Sequence, residues 1–267
     1  MLPYLNLFGI SIPMYGVWIF VGLVLAILLA VFRAKKADLK RDDVFYTCLF
    51  AIIGLIVGGK LLYLITVIPI FVQRPELLAS EEVWKALMMG GFVFYGGLIG
   101  ALLMIFWYTK LYKIPVFSML DGLIPSVPLA HAFGRIGCFF TGCCYGIPSE
   151  YGVEFSASEI APHGVKLLPV QLIEAGLNMV LFALLLILGR FCRRRGLLTG
   201  VYLGGYAVIR FVLEFFRYDA ERGGFWGLST SQWISIILLP IAVLIICFAE
   251  KKQRFEKDDI EIEGKNS

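Results

Sequence analysis

The fold of this 267-residue chain is decided by an apolar run at positions 13–33, PMYGVWIFVGLVLAILLAVFR. Only its last residue is charged, and about 20 apolar residues are enough for one helix to cross a bilayer. Six further apolar stretches follow, and we expect one helix in each. They cover residues 44–70, 92–109, 116–139, 170–191, 198–216 and 230–249. The sequence therefore predicts an all-α, polytopic membrane protein with seven transmembrane helices.

The composition of the whole chain agrees with this prediction. Apolar residues make up 59% and charged residues 16%, whereas a soluble domain has roughly 45–50% and about 25%. These values exclude a disordered chain, a coiled coil, a collagen-like fibre and a soluble disulfide scaffold. We expect one transmembrane domain over residues 1–249 and a charged, disordered tail over residues 250–267. Because no Lys or Arg precedes Arg33, we expect the first apolar run to stay in the mature protein.

The placement of basic residues predicts the direction of the helices. Sixteen of the 24 Lys and Arg residues lie in the three connectors and the tail on one side of the predicted spans. The loops on the other side contain only Arg74, Lys85, Lys166 and Arg222. Since cytoplasmic loops carry the excess of Lys and Arg, we expect the N-terminus outside and the C-terminus in the cytoplasm. The longer polar loops then lie outside, and we expect any chemistry toward the outer leaflet.

One stripe of charged residues remains inside the sixth predicted span. Tyr206, Arg210, Glu214 and Arg217 recur there at helical spacing. A charge at membrane depth costs several kcal/mol, so it needs a partner or a function. A salt bridge accounts for Arg210 with Glu214 but leaves a second arginine over. The stripe therefore favours a bound anion, and a lipid phosphate is the anion that a bilayer supplies.

A second cluster begins as a helix and ends in a glycine-rich turn. His131 and Arg135 lie one helical turn apart, and the turn that follows contains Gly137, Gly142 and Gly146. Glycines permit close approach of the backbone to a ligand and expose N–H groups that can bind a phosphate. A glycine-capped helix end explains the turn alone, but it does not explain Arg135 before it.

The turn also contains three cysteines, Cys138, Cys143 and Cys144. The C-x4-C-C spacing lacks the paired C-x2-C of a zinc site, so no metal and no cofactor are expected. A redox pair is the second interpretation, although adjacent cysteines rarely form a comfortable disulfide. Small side chains packed around a tight turn are the first interpretation.

Three residues near the ends of other spans have two interpretations each. Lys60 is either a substrate contact or a residue that fixes helix packing. Tyr15 and Tyr95 are either interfacial residues or hydroxyls that point into the site. The glycines around Tyr95 are explained by close helix packing through small residues.

Taken together, these motifs resemble those of the prolipoprotein diacylglyceryl transferase family, in the same order along most of the chain. They are Ile12-Pro13-Met14-Tyr15-Gly16, Gly58-Gly59-Lys60, Tyr95-Gly96-Gly97-Leu98-Ile99-Gly100, Asp121, Gly134-Arg135-Ile136-Gly137-Cys138-Phe139, Pro169, Gln171, Glu174, Gly205-Tyr206, Arg210 and Glu214-Phe215-Phe216-Arg217.

The resemblance implies a reaction and a cellular location. The diacylglyceryl group of phosphatidylglycerol moves to the thiol of the lipobox cysteine in a prolipoprotein signal peptide, and glycerol phosphate leaves. The bacterial plasma membrane is the implied location, the partners are lipid and signal peptide, and nucleic acid is not among them. Arg135 and Arg210 match the family's phosphate-handling arginines. The remaining substrate-binding residues are expected to be Tyr15, Lys60, Gly137, Cys138, Gly142, Cys143, Gly146, Tyr206, Glu214 and Arg217.

The chain departs from the family pattern at three positions. Cys138 stands where the family usually has Asn, Cys143 where it has an acidic residue, and Tyr95 where it has a His proposed as general base. Tyr95 is therefore kept as a catalytic position, and His131 is a substitute base because its ordinary pKa is near 6.5. Alternatively, the arginines lower the pKa of the substrate thiol and no protein base is needed.

These departures leave three other functions open. The nearest is a transferase that consumes phosphatidylglycerol but uses another acceptor. The second is a membrane transporter of lipids or anions, although no internal repeat of the kind that many transporters show is evident. The third is a membrane thiol oxidoreductase built on the three cysteines.

Overall fold

The computed structural model describes residues 3–7, 10–191, 194–218 and 224–265, and these residues are mostly helical. The helices are α1 (Met14–Arg33), α2 (Arg41–Gln73), α3 (Glu81–Met89), α4 (Phe94–Leu111), α5 (Val116–Leu123), α6 (Ser126–Thr141), α7 (Val170–Phe191), α8 (Leu197–Glu214) and α9 (Thr230–Lys265). Three short antiparallel hairpins lie between them or before them: β1 (Tyr4–Leu7) with β2 (Ile10–Pro13), β3 (Pro148–Glu154) with β4 (Lys166–Leu167), and β5 (Gly224–Phe225) with β6 (Leu228–Ser229).

Six helices among the described residues, α1, α2, α4, α7, α8 and α9, are long and apolar enough to cross a membrane, and a bent pair raises the number to seven. This confirms the predicted all-α polytopic membrane protein. The predicted span at 116–139 is not one straight helix, because α5 and α6 meet at 41°. Pro125 lies at this break, and its ring has no N–H to donate into a continuous helix.

The chain forms two compact units, a larger one (Met1–Asp38 with Leu120–Ser267) and a smaller one (Leu39–Met119). The last helix, α9, continues through Lys265. The division into one transmembrane domain over residues 1–249 and a disordered tail over residues 250–267 stays a prediction.

In the larger unit, α6 packs against both α1 and α7, α7 packs against α8, and α8 packs against α9. A glycine permits the closest of the α1–α6 contacts: a Cβ added at Gly22 would lie 2.7 Å from the Cβ of Phe133. One apolar core lies where α7 and α8 meet, and its buried side chains are Ile124, Leu181, Leu185, Leu198 and Tyr202. This packing brings the predicted polar residues of α6, α7 and α8 into one helical layer.

Asp121 on α5 fixes where α8 begins. Its carboxylate accepts hydrogen bonds from the N–H of Gly196 at 2.5 Å and from the N–H and hydroxyl of Thr199 at 2.9 and 2.7 Å. The first N–H groups of a helix have no intrahelical partner and carry partial positive charge, so a carboxylate is well suited to this position. This intramembrane acid therefore has a structural partner.

The segment between α6 and α7 folds onto a small core of its own. Phe155, Ala161 and Leu167 are buried together there, and the ring of Phe139 from α6 packs on Phe155 with centroids 5.8 Å apart. Ser158 donates a hydrogen bond to the carbonyl of Thr141 at 2.7 Å. These contacts hold the glycine-rich turn at the end of α6 in one conformation.

In the smaller unit, α2 and α4 touch through glycines. A Cβ added at Gly58 would lie 2.3 Å from the carbonyl oxygen of Gly96, and one added at Gly54 would lie 2.4 Å from that of Gly100. Real Cβ atoms do not approach this closely, so only glycine fits at these positions. The sequence interpretation of the Gly96–Gly100 spacing as close helix packing is confirmed.

Candidate active site

An ion pair between α6 and α7 forms the first half of the site. The guanidinium Nη2 of Arg135 lies 2.9 Å from the Oε1 of Glu174, and the two side chains are 14% and 1% exposed. The Nε–H of Arg135 donates to the Nε2 of His131 at 3.3 Å, and the same ring nitrogen lies 3.4 Å from Glu174. The predicted helical pairing of His131 with Arg135 is therefore confirmed. Because His131 Nε2 already accepts a hydrogen bond, this lone pair is engaged in the structure.

Arg210 on α8 forms the second half. Its Nη2 lies 2.7 Å from Glu214 and donates to the hydroxyl of Ser231 at 2.9 Å. Arg210 is 8% exposed, and its other terminal nitrogen, Nη1, is buried without a hydrogen-bond partner among the described residues. A buried donor without a partner costs about 1–3 kcal/mol, more when it is charged. The predicted pairing with Glu214 is confirmed, and one donor remains available for a ligand.

Tyr206 links the two halves. Its ring packs against that of His131 with centroids 5.2 Å apart, and it stacks on the ring of Tyr202 with centroids 6.0 Å apart. Arg210 interacts electrostatically with both Glu174 and His131 across this layer. The stripe on α8 and the cluster on α6 are therefore neighbours in one helical layer.

Three arginines lie at this site. Arg135 and Arg210 face Glu174 and Glu214, and Arg217 interacts electrostatically with Arg210. The Nη1 atom of Arg210 is buried without a hydrogen-bond partner among the described residues. A buried, charged donor of this kind favours an anionic ligand at the site.

The glycine-rich turn borders the site and is held by several hydrogen bonds. Gly142 has a φ of 74° and ends α6, and its N–H donates to the carbonyl of Cys138 at 2.9 Å. Gln171, buried at the start of α7, donates to the carbonyl of Cys143 at 2.8 Å. The backbone of Gly146 pairs with that of Arg217 beyond the end of α8. The turn therefore connects the ends of α6, α7 and α8.

Gly137 and Tyr15 meet where α1 packs on α6. A Cβ added at Gly137 would lie 3.3 Å from the ring of Tyr15 and 3.2 Å from Trp18, so the glycine admits the aromatic residues. Tyr15 is 43% exposed and interacts electrostatically with Arg135 and with the three cysteines of the turn. Tyr15 therefore lies near Arg135 and the turn, and its role toward substrate stays a prediction.

Two predicted site residues, Lys60 and Tyr95, belong to the smaller unit. The ammonium of Lys60 donates to the carbonyls of Leu87, Met88 and Gly90, at 3.2 Å for Met88 and 2.6 Å for Gly90. These are the last carbonyls of α3, so Lys60 caps that helix. Tyr95 is 41% exposed, and its ring packs on Phe94 with centroids 6.0 Å apart. Their roles toward substrate stay predictions.

Sequence reasoning did not assign four of the polar residues that build the site. Glu174 belongs to the family-like motifs but has no role in the sequence analysis, and its contact with the guanidinium identifies it as the partner of Arg135. Ser231, Gln171 and Ser158 have no distinctive sequence pattern, because each contacts a residue at least 17 positions away. Only the packing of α6–α9 and of the segment after α6 brings them to the site.

The chain is similar to proteins of one family along nearly its whole length. Residues 3–248 match the family model described as prolipoprotein diacylglyceryl transferase. The chain is 39% identical to the phosphatidylglycerol–prolipoprotein diacylglyceryl transferase of Clostridium tetani, over 90% of this chain and 94% of that protein. It is 36% identical to transferase 2 of that name from Clostridium perfringens, over 94% and 96%. The transferase of that name from Streptococcus pneumoniae is 32% identical, over 91% and 92%.

Proposed function

We propose that this chain, which belongs to the prolipoprotein diacylglyceryl transferase family, transfers the diacylglyceryl group of phosphatidylglycerol to a cysteine thiol of a prolipoprotein. A carbon–sulfur bond forms at the glyceryl carbon, the carbon–oxygen bond to phosphate breaks, and glycerol phosphate leaves with the electron pair. The acceptor is the lipobox cysteine of the signal peptide. The names of its relatives and the family match support both substrates.

The main structural support for the proposal is the buried guanidinium of Arg210, which has one nitrogen without a hydrogen-bond partner among the described residues. Its Nη1 has no partner among the described residues, while Nη2 is fixed by Glu214 and Ser231. A phosphate oxygen offers an anionic acceptor for such a donor, and the fork of a guanidinium matches phosphate geometry. The headgroup phosphate of phosphatidylglycerol is therefore the group we assign to this position.

The chemistry needs stabilisation of charge on the leaving phosphate. Preorganised donors aimed at developing charge are usually the largest single contribution to catalysis, because they need not reorganise during the reaction. Arg135 and Arg210 are preorganised in this sense, since buried carboxylates hold both. We assign charge stabilisation to these two arginines and their positioning to Glu174 and Glu214.

Deprotonation of the acceptor thiol requires a separate assignment. His131 has its Nε2 engaged with Arg135, so action as a base requires that hydrogen bond to break. The alternative is that the neighbouring arginines favour the thiolate form of the acceptor, so that no protein base is needed. Comparing His131→Ala with the unaltered protein in a transferase assay tests this, and near-normal turnover would exclude His131 as the base.

We also propose an orientation in the bacterial plasma membrane. The four connecting or terminal segments that are rich in Lys and Arg lie on the cytoplasmic side, which puts the N-terminus and the end of α6 on the outer side. The site then faces the outer leaflet, where a secreted precursor arrives. Labelling of single cysteines introduced at Ser149 and Lys113 with a membrane-impermeant maleimide tests this, because only the former should react in intact cells.

The function is tested directly with purified protein reconstituted in vesicles. Vesicles containing phosphatidylglycerol receive a lipobox peptide, and mass spectrometry detects the diacylglyceryl adduct on the peptide cysteine. A peptide with serine in place of that cysteine is the matched control and should gain no mass. Consumption of phosphatidylglycerol without a peptide adduct would overturn the proposal in favour of another acceptor.

A further inference from the structure

The glycine-rich turn brings three thiols together. The Sγ atoms of Cys138, Cys143 and Cys144 all lie within 4.8 Å of one another, and no disulfide joins them. Cys138 is buried, whereas Cys143 and Cys144 are each partly exposed. Tight packing alone does not require three sulfur atoms to converge. We name this group the three-thiol cluster.

The spacing of the cluster suits a metal ion that prefers sulfur. Zinc–sulfur bonds are about 2.3 Å long, so two thiolates in a tetrahedral site lie about 3.8 Å apart. Each pair of sulfur atoms in the cluster therefore has to close by at most about 1 Å. Soft thiolate ligands favour Zn²⁺ and Cu⁺ over the hard ions that oxygen ligands bind.

The backbone holds the thiols in this arrangement. Gly142 and Cys144 both have left-handed backbone conformations, with φ of 74° and 61°. A residue with a side chain is uncommon there, so the conformation at Cys144 is maintained by its surroundings. Two hydrogen bonds contribute to this. The N–H of Cys143 donates to the carbonyl of Cys138 at 3.2 Å, and the side-chain amide of Gln171 donates to the carbonyl of Cys143. The C-x4-C-C spacing would not suit a metal in an extended chain, but the folded turn brings the three sulfur atoms together.

Positive side chains lie close to the cluster. Both Arg135 and Arg217 interact electrostatically with Cys144, and Arg135 also does so with Cys138. Three thiolates with one divalent cation carry a net charge of −1, which is opposite in sign to the neighbouring arginines. A metal at this position is therefore compatible with the positive surroundings.

We propose that Cys138, Cys143 and Cys144 bind a thiophilic d10 ion of the zinc type, and that its fourth coordination position accepts an incoming thiolate. The second half rests on the proposed function, in which the acceptor is a thiol. Sites with three protein ligands leave one position for water or substrate. Among the described residues, these three cysteines are the only group of three or more His, Cys, Asp or Glu side chains whose ligand atoms lie close enough together to hold one metal ion.

The coordinated thiol would act as the nucleophile of the transfer reaction. The acceptor S–H loses its proton to solvent when it binds the cation as thiolate. The sulfur electron pair then forms the bond to the glyceryl carbon, and glycerol phosphate leaves with the electrons of the broken carbon–oxygen bond. No oxidation state changes, so no oxidant or reductant is needed. The cluster would supply the activation that a general base supplies elsewhere.

Metal binding is tested first, without an activity assay. Full-length protein with Cys48, Cys192 and Cys247 changed to Ser retains only the three-thiol cluster, and it is reduced and titrated with Cd²⁺ in detergent. We expect one ion per chain and a thiolate-to-metal charge-transfer band. Adding Cys143→Ser should weaken binding at least about tenfold, and Cys144→Ser should do so independently.

Two controls make this result decisive. The protein with all six cysteines should give the same band, and Cys247→Ser alone should not reduce it. Far-ultraviolet circular dichroism and gel filtration establish that each serine variant is folded. Absence of a band in the folded three-cysteine protein, or a band unchanged by both Cys143→Ser and Cys144→Ser, would overturn the site. A mass lower by the two hydrogens of a disulfide after purification under reductant would also do so.

The fourth position is tested with Co²⁺, whose visible spectrum reports its ligands. A lipobox peptide should shift the spectrum of the Co²⁺ protein, and the serine peptide should not. If the cysteine peptide leaves the spectrum of the Co²⁺ protein unchanged, binding of the acceptor thiolate to the metal is refuted, but metal binding by the three cysteines is not. Failure of the transferase assay with an intact metal site would instead refute the proposed function.

Discussion

The Nη2 atom of Arg135 lies 2.9 Å from the Oε1 of Glu174, and the Glu174 side chain is only 1% exposed. Two residues from adjacent packed helices thus form a buried ion pair at the centre of the site. A charge in such surroundings depends on its partner, since it has little access to water. The pair therefore couples the packing of α6 on α7 to the position of the guanidinium to which we assign charge stabilisation.

Changing Glu174 to Gln should destabilise the protein strongly. The substitution keeps the shape of the side chain but leaves the Arg135 charge without its partner, which costs about 3–5 kcal/mol for a buried pair. Denaturant unfolding in mixed micelles, followed by circular dichroism, measures the change. Glu150→Gln, at an exposed position in β3, is the matched control and should leave the free energy of unfolding unchanged. Equal free energies of unfolding for the two variants would contradict the assigned role of the ion pair.

Changing Arg210 to Lys should reduce transfer while the protein stays folded. Lysine keeps the positive charge but lacks the planar guanidinium, so it cannot donate to Glu214, Ser231 and a phosphate oxygen in the same geometry. Loss of one preorganised donor costs about 10²–10³-fold in turnover in well-studied enzymes, and we expect a loss of that order. The rate of adduct formation on the lipobox peptide measures it. Arg190→Lys, at an exposed position of α7, should retain normal turnover; a normal rate for Arg210→Lys would remove Arg210 from the mechanism.

The parts of this structure that could be predicted from the sequence are those with a local physical cause. The bilayer sets the length of each apolar helix, so the spans are visible as runs. Helical periodicity places residues four apart on one face, and the pairs His131–Arg135 and Arg210–Glu214 follow from it. In both pairs the structure has the predicted contact.

The remaining features depend on contacts between distant residues. The hydrogen bond of Arg210 to Ser231 joins α8 to α9, and that of Gln171 to Cys143 joins α7 to the turn. No local pattern distinguishes these partners from other serines and glutamines. The three-thiol cluster was missed for a related reason: ligand spacing in sequence says little when a left-handed turn folds the chain back between the ligands.

Changing Asp121 to Asn should weaken the attachment of α5 to the start of α8. The carboxylate accepts three hydrogen bonds from Gly196 and Thr199, and an amide keeps only one oxygen and loses the charge that favours a helix N-terminus. We expect a loss of about 1–2 kcal/mol, the range for loss of a helix cap. Thr199→Val removes one of the same hydrogen bonds, so the double variant should be less destabilised than the sum of the single ones. Strict additivity in this double-mutant cycle would show that the two residues are not coupled.

Changing Gly58 to Ala should force α2 and α4 apart. The added Cβ would lie 2.3 Å from the carbonyl oxygen of Gly96, and this neighbour is backbone, which cannot rotate away as a side chain can. We expect destabilisation of about 1–3 kcal/mol or more, as for other overpacked sites. Gly176→Ala in α7 is the matched control, because no atom lies within 4 Å of its added Cβ. Alanine has the higher helix propensity by about 1 kcal/mol, so the control should be neutral or slightly more stable. Melting of both variants in the same detergent measures the difference, and Gly58→Ala as stable as Gly176→Ala would contradict the close packing of these two helices.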